Sequence, residues 1–307
     1  MIYVASLNPC IDWQYSLPSL NRGGLNRVNF NRQDIGGKGI NVAGCLKNLG
    51  FDPMLVGFNF WENGGLLIEE MDRREIRHNL TPAKGSIRVN IKLYENSGEM
   101  TELNQPGATV TAAEIKALQE SIPGSQSDIL VLSGSYPGGV DAGLYAQICQ
   151  GYPGKTIIDA EGEALRLAIS AKPFAIKPNL FELNSSFGLS LKTPAEIYKF
   201  CCQQLLSAGV SMVCVSMGAS GAVLATSEGG WFSPALPVTV KGLPGAGDSM
   251  VAAMVYAIAS GLPVAEFLPA IMGAAAASVS KPGTALCNLD EMRQLQENVL
   301  QFPIEAL

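Results

Sequence analysis

The sequence predicts an α/β fold that is built on a largely parallel β-sheet. Short apolar runs alternate with amphipathic segments along the chain, and this alternation is typical of strands that are connected by helices. Helix start signals lie between the runs, since Thr111 with Glu114 predicts a capping box and Thr193-Pro194 with Glu196 predicts an N-cap followed by proline. The apolar runs predict buried strands at 2–7, 54–58, 129–133, 156–159, 174–177 and 212–216.

The bulk composition favours a folded soluble protein and argues against several partners. Of the 307 residues, 47% are hydrophobic and 16% are charged, and the net charge is −6. An acidic chain is a poor partner for nucleic acid, and no apolar run is long enough to cross a membrane. The seven cysteines form no Cys-x-x-Cys pair and the first residues lack the basic region of a signal peptide, so we expect reduced thiols in a cytoplasmic protein.

One part of the sequence departs from this rhythm and predicts a small β-sheet. Residues 87–93 alternate between apolar and polar side chains, a glycine turn follows, and the chain returns at 100–103. This pattern is typical of an antiparallel hairpin with one apolar and one polar face. Residues 13–33 are polar and can supply companion strands. We therefore expect one domain over 1–307 with a lid at about 13–33 and 87–105, whose apolar face needs cover from this chain or from another subunit.

Residues 245–249 carry the most informative motif, Gly-Ala-Gly-Asp-Ser, which is followed directly by an apolar stretch. The glycines let backbone N–H groups approach a ligand closely, and the helix that they open directs its positive end at that ligand. Asp248 lies in the first turn, where its carboxylate can accept a proton from an attacking hydroxyl. Near a helix N-terminus this carboxylate should stay ionised and be a weak base. The alternative is an ordinary glycine turn with an acidic first-turn residue.

A second glycine-rich turn, Gly-Gly-Lys-Gly-Ile-Asn, occupies residues 36–41 and leads into a helix. It is not a Walker A loop, because no Gly-Lys-Ser/Thr follows four spacer residues. Nor is it a dinucleotide fingerprint, because the third glycine of Gly-x-Gly-x-x-Gly is missing here and at 245–250. Such a glycine pair often has only a structural role. Lys38 and Asn41 on the turn favour contact with a ligand.

Polar side chains also follow several of the predicted strands. Because the carboxyl ends of parallel strands meet at one edge of a sheet, residues there gather around a ligand. Asn179 and Glu182 are three residues apart, so on a helix they share a face and can orient water around Mg²⁺, but the spacing fits a plain capping box equally well. The other positions of this kind are Asp12, Ser135, Lys177 and the glycine turn at 217–222, which also fits a simple hairpin.

Taken in order, these motifs resemble those of the ribokinase-like (PfkB-type) carbohydrate kinases. The turn at 36–41 is similar to the N-terminal signature of that family, and the turn at 245–249 is similar to its C-terminal signature. The resemblance extends to the hexose-phosphate branch, whose members phosphorylate fructose 1-phosphate, tagatose 6-phosphate or fructose 6-phosphate. The motifs that resemble this branch are Asn8-Pro9-x-x-Asp12, Arg88-Val89-Asn90, Glu102-Leu103-Asn104-x-Pro106-Gly107 and Asp159-x-x-Gly162-Glu163-Ala164-Leu165.

The resemblance implies a three-layer α/β/α fold with a mostly parallel sheet and a small β-sheet lid. It also implies an ATP-dependent kinase that uses Mg²⁺, adds a second phosphate to a ketohexose phosphate, and forms a homodimer through the lid. For transfer it implies Asp248 as the base, with the backbone of Gly245, Ala246 and Gly247 as the anion hole.

Roles for the remaining residues are implied in the same way. The sugar would be held by Asp12, Gly37, Lys38 and Asn41, and the phosphate of the substrate by Arg88 with Lys38, Ser135 and Arg27. The nucleotide would contact Lys177, Ser216, Gly218 and Gly221. Asn179 and Glu182 match the Asn-x-x-Glu motif that is linked to magnesium, through water.

The chain departs from the family pattern just before the second signature. Leu243-Pro244 stands where the family usually has a threonine two residues before Gly-Ala-Gly-Asp, so a hydroxyl beside the phosphates is lost. Two other readings stay open. One is a kinase of an unphosphorylated sugar or a nucleoside, against which Lys38 and Arg88 argue. The other is a non-catalytic ligand-binding regulator, against which the intact Asp248 argues. A dehydrogenase is more remote, because the dinucleotide fingerprint is missing.

Overall fold

A computed structural model describes residues 1–304, and within this range the chain forms two β-sheets that are flanked by helices. The strands are β1 (Ile2–Ser6), β2 (Cys10–Leu17), β3 (Asn29–Gly36), β4 (Met54–Glu62), β5 (Arg77–Ser86), β6 (Arg88–Glu95), β7 (Met100–Asn104), β8 (Ile129–Ser133), β9 (Lys155–Asp159), β10 (Ala175–Ile176), β11 (Met212–Ser216), β12 (Ala222–Thr226), β13 (Gly229–Ser233) and β14 (Phe302–Pro303).

The large sheet has ten strands within residues 1–304, in the order β14-β13-β12-β11-β10-β9-β8-β1-β4-β5. From β11 to β5 all neighbours are parallel, whereas β12, β13 and β14 add an antiparallel edge. The central strands are apolar throughout and buried, as expected for a parallel sheet that is covered on both faces.

Helices complete a three-layer α/β/α arrangement. Helices α1, α8, α9 and α10 pack against one another, and α4, α5 and α6 form a second contacting group. The helices are α1 (Lys38–Asn48), α2 (Gly64–Arg73), α3 (Ala112–Ser121), α4 (Leu144–Gly151), α5 (Gly162–Ser170), α6 (Leu180–Phe187), α7 (Pro194–Phe200), α8 (Ala246–Ala259), α9 (Phe267–Val279) and α10 (Leu289–Gln296).

All six predicted strands of the main sheet are present. Strands β8 and β11 have the predicted bounds. The shortest of the six is β10, which spans only Ala175–Ile176. The capping box of Thr111 with Glu114 is confirmed at the start of α3, and Thr193 with Glu196 forms one at α7 as well. The turn at 217–222 does join two antiparallel strands, β11 and β12.

The small sheet has the order β3-β2-β6-β7, with β2 and β6 parallel and both edges antiparallel. Asp12 lies inside β2, which corrects the expectation that it follows the end of a strand. Several polar side chains of this sheet are buried, including Asp12, Asn90 and Lys92. Its apolar side is only partly covered within the chain, since Phe30 is 59% exposed and Leu103 53%. We call the small sheet the lid from here on.

No helix within residues 1–304 is long and apolar enough to span a bilayer.

Candidate active site

The first turn of α8 carries the carboxylate that the sequence predicts as a base. Gly245 precedes the helix with a φ of 86°, and a side chain there would approach Leu286 to 3.1 Å, so this position favours glycine. Asp248 is buried, and Asn41 of α1 donates a hydrogen bond to its Oδ2 over 2.8 Å. The two glycine-rich turns, far apart in the sequence, therefore meet at one carboxylate.

Burial raises the pKa of Asp248 to about 6, and the negative charge of Asp159 acts in the same direction. The hydrogen bond from Asn41 and the ammonium groups of Lys38 and Lys177 oppose this rise without cancelling it. The expectation of a weak base at a helix N-terminus is therefore corrected, because burial outweighs the helix end. Asp248 is mostly ionised at pH 7, yet it binds a proton more tightly than an exposed aspartate does.

Asp159 is the charged centre of the cleft, although the sequence gives it no separate role. It ends β9 fully buried, with Oδ2 at 3.4 Å from the Nζ of Lys38 and Oδ1 at 3.5 Å from the Nζ of Lys177. The hydroxyl of Ser133 donates to Oδ2 over 3.1 Å. A signal was available in the sequence, because Asp159 is the polar last residue of an apolar strand, as Ser133 is of the neighbouring strand.

The charges around Asp159 stabilise one another. Burial alone would raise the pKa of Asp159, but Lys177 and Lys38 outweigh it and hold this pKa below its usual value. Burial alone would likewise lower the pKa of Lys38, but Asp159, Glu182 and Asp248 raise it well above its usual value. Lys38 therefore carries full positive charge in the cleft.

A cavity of about 520 Å³ lies on one side of this centre, between the main sheet and the lid. Lys38, Arg88 and Ser135 line it, so the structure brings together three of the residues expected at the substrate. Arg88 is anchored by hydrogen bonds from its Nε to the carbonyl oxygen of Asn8 over 3.3 Å and from its Nη1 to that of Gln105 over 3.2 Å. We call this space the acceptor cavity.

A second cavity, of about 580 Å³, lies on the other side of the first turn of α8. Ser216, Gly218 and Gly221 line it as expected for a nucleotide site. Lys177 does not line it, because its side chain is buried in the ion pair with Asp159. The remaining wall is mostly apolar and includes Leu236, Val238, Val240, Leu243, Met250 and Met272. We call this space the nucleotide cavity.

Asn179 and Glu182 form a closed capping box at the start of α6. The Oδ1 of Asn179 accepts from the N–H of Glu182, and the Oε2 of Glu182 accepts from the N–H of Asn179, both over 2.8 Å. The Oε1 of Glu182 lies 3.7 Å from the Nζ of Lys38. One carboxylate oxygen therefore remains for a water shell, which suits Mg²⁺ because this ion usually keeps several waters. No group of three or more His, Cys, Asp or Glu side chains within residues 1–304 is arranged to hold a metal directly.

The lid places Asp12 in a polar cluster. Its Oδ1 accepts from the Nδ2 of Asn90 over 3.0 Å and its Oδ2 from the Nζ of Lys92 over 2.9 Å. The alternation at 87–93 puts Asn90 and Lys92 on the polar face, but the sequence does not assign them to the site. Arg27 lies in the exposed loop between β2 and β3, and within residues 1–304 it has no hydrogen bond or ion pair, so one chain alone does not bring it to the cleft.

Residues 1–291 match the family described as pfkB family carbohydrate kinase. The chain belongs to this family. A 1-phosphofructokinase of Bacillus subtilis (strain 168) is 33% identical over 270 residues, which cover 87% of this chain and 88% of that protein. A 1-phosphofructokinase of Borreliella burgdorferi is 31% identical over 311 residues, covering 100% and 99%.

The solved structures of this pfkB family agree in fold. Phosphofructokinase-2 from Escherichia coli in complex with potassium gives a TM-score of 0.91 at 29% identity, with 97% of this chain and 98% of that chain covered. Its complex with fructose-6-phosphate gives 0.88 at 28% identity over the same shares. A ribokinase from Thermotoga maritima, at 21% identity and a TM-score of 0.77, supports the ribokinase-like fold alone.

Proposed function

We propose that this pfkB-family chain is an ATP-dependent kinase that adds a second phosphate to a ketohexose phosphate, with fructose 1-phosphate as the acceptor. The position of Asp248 carries the proposal. Ala246 and Gly247 of its helical turn line the nucleotide cavity, and Asn41, which binds its carboxylate, belongs to the same helix as Lys38 of the acceptor cavity. The curated 1-phosphofructokinase relatives favour fructose 1-phosphate over its isomers.

In the proposed reaction the free primary hydroxyl of the sugar attacks the γ-phosphorus of ATP. A bond forms between the hydroxyl oxygen and phosphorus, the bond from phosphorus to the β–γ bridging oxygen breaks, and ADP leaves. The hydroxyl proton passes to Asp248, whose raised pKa of about 6 makes it a competent acceptor near neutral pH. Most of the rate comes from positioning and from positive charge around the transferring group.

The positive charge has several sources in the cleft. The backbone N–H groups at Gly245, Ala246 and Gly247 lie at the start of α8, where they would face the transferring phosphoryl group as an anion hole. Lys177 reaches this turn from below, since a side chain on Gly247 would lie 3.5 Å from its Nζ. In our proposal Lys177 therefore supports the anion hole and does not line the nucleotide cavity.

The phosphate already on the substrate would be bound at Arg88, Lys38 and Ser135. The guanidinium of Arg88 is held by two backbone carbonyls at the cavity wall, which leaves further N–H donors for an anion. With a neutral sugar this guanidinium would have no anionic partner, because its two hydrogen bonds go to neutral carbonyls, so the phosphorylated acceptor is the better fit. Asp12, Gly37 and Asn41 would contact the sugar, and Arg27 would reach a phosphate only from a partner subunit.

The Asn179–Glu182 turn would hold Mg²⁺ through water, using the Oε1 of Glu182, which is not part of the capping box. Bound Mg²⁺ would supply charge neutralisation at the phosphates of ATP. In the nucleotide cavity, Ser216, Gly218 and Gly221 would bind the nucleotide next to the apolar wall. A side chain on Gly221 would collide with the backbone of Ser233, so glycine is required there.

We also propose that the chain acts in the cytoplasm as a homodimer that is formed through the lid. The support is the apolar face of the lid, where Trp13, Tyr15 and Phe30 contact one another edge-to-face and remain partly or largely exposed. Sedimentation of the wild type should give twice the monomer mass, and Phe30→Asp should shift it toward monomer. A wild-type monomer at micromolar concentration would contradict the dimer.

A turnover assay tests the function directly. ATP is supplied with fructose 1-phosphate, fructose 6-phosphate, tagatose 6-phosphate and unphosphorylated fructose in turn, and kcat/KM is compared. We expect fructose 1-phosphate to be highest and fructose to be lowest. Higher kcat/KM for fructose would favour a kinase of neutral sugars, and no turnover of any acceptor would favour a non-catalytic binding protein.

A further inference from the structure

Two cysteine thiols are in contact inside the protein, and the proposed reaction does not use them. The Sγ of Cys45 lies 3.3 Å from the Sγ of Cys287, and both side chains are completely buried. Cys45 belongs to α1, whereas Cys287 lies just before α10, so the two residues are 242 positions apart in the sequence. Within residues 1–304 no other two cysteine sulfurs form such a contact. The fold therefore creates a thiol pair that no sequence spacing reveals.

The thiol pair is connected to the helix that carries the base. The hydroxyl of Ser278 accepts from the N–H of Cys287 over 3.0 Å, and its Oγ lies 2.7 Å from the Oγ of Ser249. Both serines are buried, and Ser249 directly follows Asp248 in α8. One short chain of hydrogen bonds thus leads from Cys287 to the residue next to Asp248.

The elements beside the two thiols also contact the candidate site. Cys45 lies one turn of α1 after Asn41, whose amide donates to Asp248. The residue before the second cysteine is Leu286, which packs against the turn that opens α8, since a side chain on Gly245 would approach its Cδ2 to 3.1 Å. A change in the distance between the two sulfurs would therefore move groups on both sides of the anion hole.

The two thiols are chemically unequal. The hydrogen bond with Cys45 lowers the pKa of Cys287, and a hydrogen bond with Ser278 acts in the same direction, although burial opposes both. The same contact between the thiols, together with burial, raises the pKa of Cys45 well above its usual value. Cys287 is therefore the nucleophilic thiolate, and Cys45 is a protonated thiol next to it, which is the arrangement of an attacking and a resolving cysteine.

One irregular loop covers Cys287. Residues 281–286 form no helix or strand between α9 and α10, and Pro282, Ala285 and Asn288 are exposed. Local opening of such a loop requires less free energy than global unfolding. A molecule as small as hydrogen peroxide can therefore reach the sulfur of Cys287 while the rest of the protein stays folded.

We propose that Cys45 and Cys287 form a reversible disulfide that lowers the activity of the enzyme when a hydroperoxide is present. This inference rests on the proposed function. The thiolate of Cys287 attacks one oxygen of the peroxide, the O–O bond breaks, hydroxide leaves, and a sulfenic acid forms. The sulfur of Cys45 then attacks the sulfenic sulfur, an S–S bond forms, and the sulfenic hydroxyl leaves as water with the proton of the thiol. The two cysteines are oxidised and the peroxide is reduced.

The bond would lower the activity because it requires movement. The sulfurs of a disulfide are about 2.0 Å apart, so the two sulfurs must approach by about 1.3 Å. Helix α1 and the loop that ends at Cys287 must share this movement, and they carry Asn41 and Leu286. A displacement of about 1 Å in an active site can cost about 100-fold in rate.

The test measures the bond and the activity in the same sample. The full chain is treated with hydrogen peroxide, the excess is removed with catalase, and free thiols are alkylated with iodoacetamide before digestion. Mass spectrometry should find a cross-linked pair of peptides that contain Cys45 and Cys287. The kcat with ATP and fructose 1-phosphate should fall at least about 10-fold, and dithiothreitol should restore it.

Three serine variants show whether the thiol pair causes the loss. Before oxidation, Cys45→Ser and Cys287→Ser should keep kcat within about threefold of the wild type, because neither side chain lines a cavity. Under peroxide Cys287→Ser should keep its activity, and Cys45→Ser should retain a sulfenic acid that dimedone traps. Cys149→Ser is the matched control, because Cys149 is a buried cysteine that contacts Thr156 and no other sulfur, and it should respond as the wild type.

The outcomes separate this inference from the proposed function. The inference is overturned if peroxide leaves the two peptides without a cross-link, or if the cross-linked wild type keeps its kcat. It is also overturned if Cys287→Ser loses as much activity under peroxide as the wild type does. Mapping of the wild type decides the first point even if the serine variants do not fold. If the untreated wild type phosphorylates no ketohexose phosphate, the proposed function fails and the regulation fails with it, whereas the mapping still shows whether the bond forms.

Discussion

Asp159 lines the acceptor cavity and the first turn of α8 lines the nucleotide cavity, and the two cavities are lined in different ways. Lys38, Arg88 and Asp159 line the acceptor cavity, where each charge is fixed by a partner in the chain. Leu243 and Met250 are typical of the nucleotide cavity, whose wall is mostly apolar. One cavity can therefore discriminate by charge and hydrogen bonding, whereas the other binds by shape and apolar contact. Single substitutions should cost far more in the first than in the second.

The largest effect of a single substitution is expected at the carboxylate of Asp248. Asp248→Asn removes the proton acceptor and keeps the shape, so kcat should fall roughly 10²- to 10⁴-fold, the usual contribution of a general base. The KM for ATP should change by no more than about threefold, because Asp248 lines neither cavity. Steady-state kinetics with fructose 1-phosphate measure both constants.

Asp290→Asn is the matched control for this change, because Asp290 is an exposed aspartate in the first turn of another helix, α10. It should behave as the wild type. A kcat of Asp248→Asn within tenfold of the wild type would show that Asp248 is not the base of the proposed reaction.

The next largest effect is expected in the acceptor cavity, which is lined by charged side chains. Arg88→Met should raise the KM for fructose 1-phosphate about 10- to 150-fold, because a charged hydrogen bond contributes about 1.5–3 kcal/mol. The KM for ATP should stay unchanged. With unphosphorylated fructose the same variant should lose almost nothing, since the guanidinium then has no anion to bind.

Arg77→Met serves as the control, because Arg77 begins β5 and pairs with Asp52, outside both cavities. An unchanged KM for fructose 1-phosphate in Arg88→Met would show that Arg88 does not bind the phosphate. The acceptor cavity would then lose its main electrostatic distinction from the nucleotide cavity.

Local patterns in the sequence were enough to predict the main sheet, whereas the shared role of the two glycine-rich turns came from the resemblance to the family. Buried parallel strands are continuous apolar runs, and helix caps depend on residues three apart, so both can be read locally. The charge balance at Asp248 could not be read in this way, because its raised pKa depends on burial and on Asp159, which is far away in the sequence. The capping box of Asn179 and Glu182 was an alternative that only their hydrogen bonds distinguish.

The lid shows the same limit. The alternation at 87–93 predicts which side chains share a face, but it does not say which face is buried. An amphipathic strand usually buries its apolar face, whereas this chain buries Asn90 and Lys92 around Asp12. That inversion follows from the packing of the lid over the cleft, which involves residues from distant parts of the chain.

A smaller effect concerns pH. Because the pKa of Asp248 is raised to about 6, kcat/KM should fall as the pH drops through about 6, where the base becomes protonated. The N–H of Asn41 stabilises the ionised carboxylate, so Asn41→Ala should raise this pKa and move the acid limb to higher pH. The pH profile of kcat/KM measures this shift separately from any loss of rate.

Asn48→Ala provides the control on the same helix, because Asn48 donates to the carbonyl oxygen of Cys287 and does not contact Asp248. Its acid limb should coincide with that of the wild type. An acid limb of Asn41→Ala at or below the wild-type position would contradict the assignment of the limb to Asp248.

The smallest effect is expected in the nucleotide cavity, whose wall is mostly apolar. Leu243 is 72% exposed, so only a minor part of its side chain contacts the nucleotide cavity. At about 25 cal/mol for each Å² of apolar surface, Leu243→Ala should raise the KM for ATP only about two- to fivefold. The KM for fructose 1-phosphate and the acid limb should not move. If Leu243→Ala instead lowers kcat about 100-fold, the loop before Gly245 acts on the transferring phosphoryl group, and the two cavities are not as separate as their linings suggest.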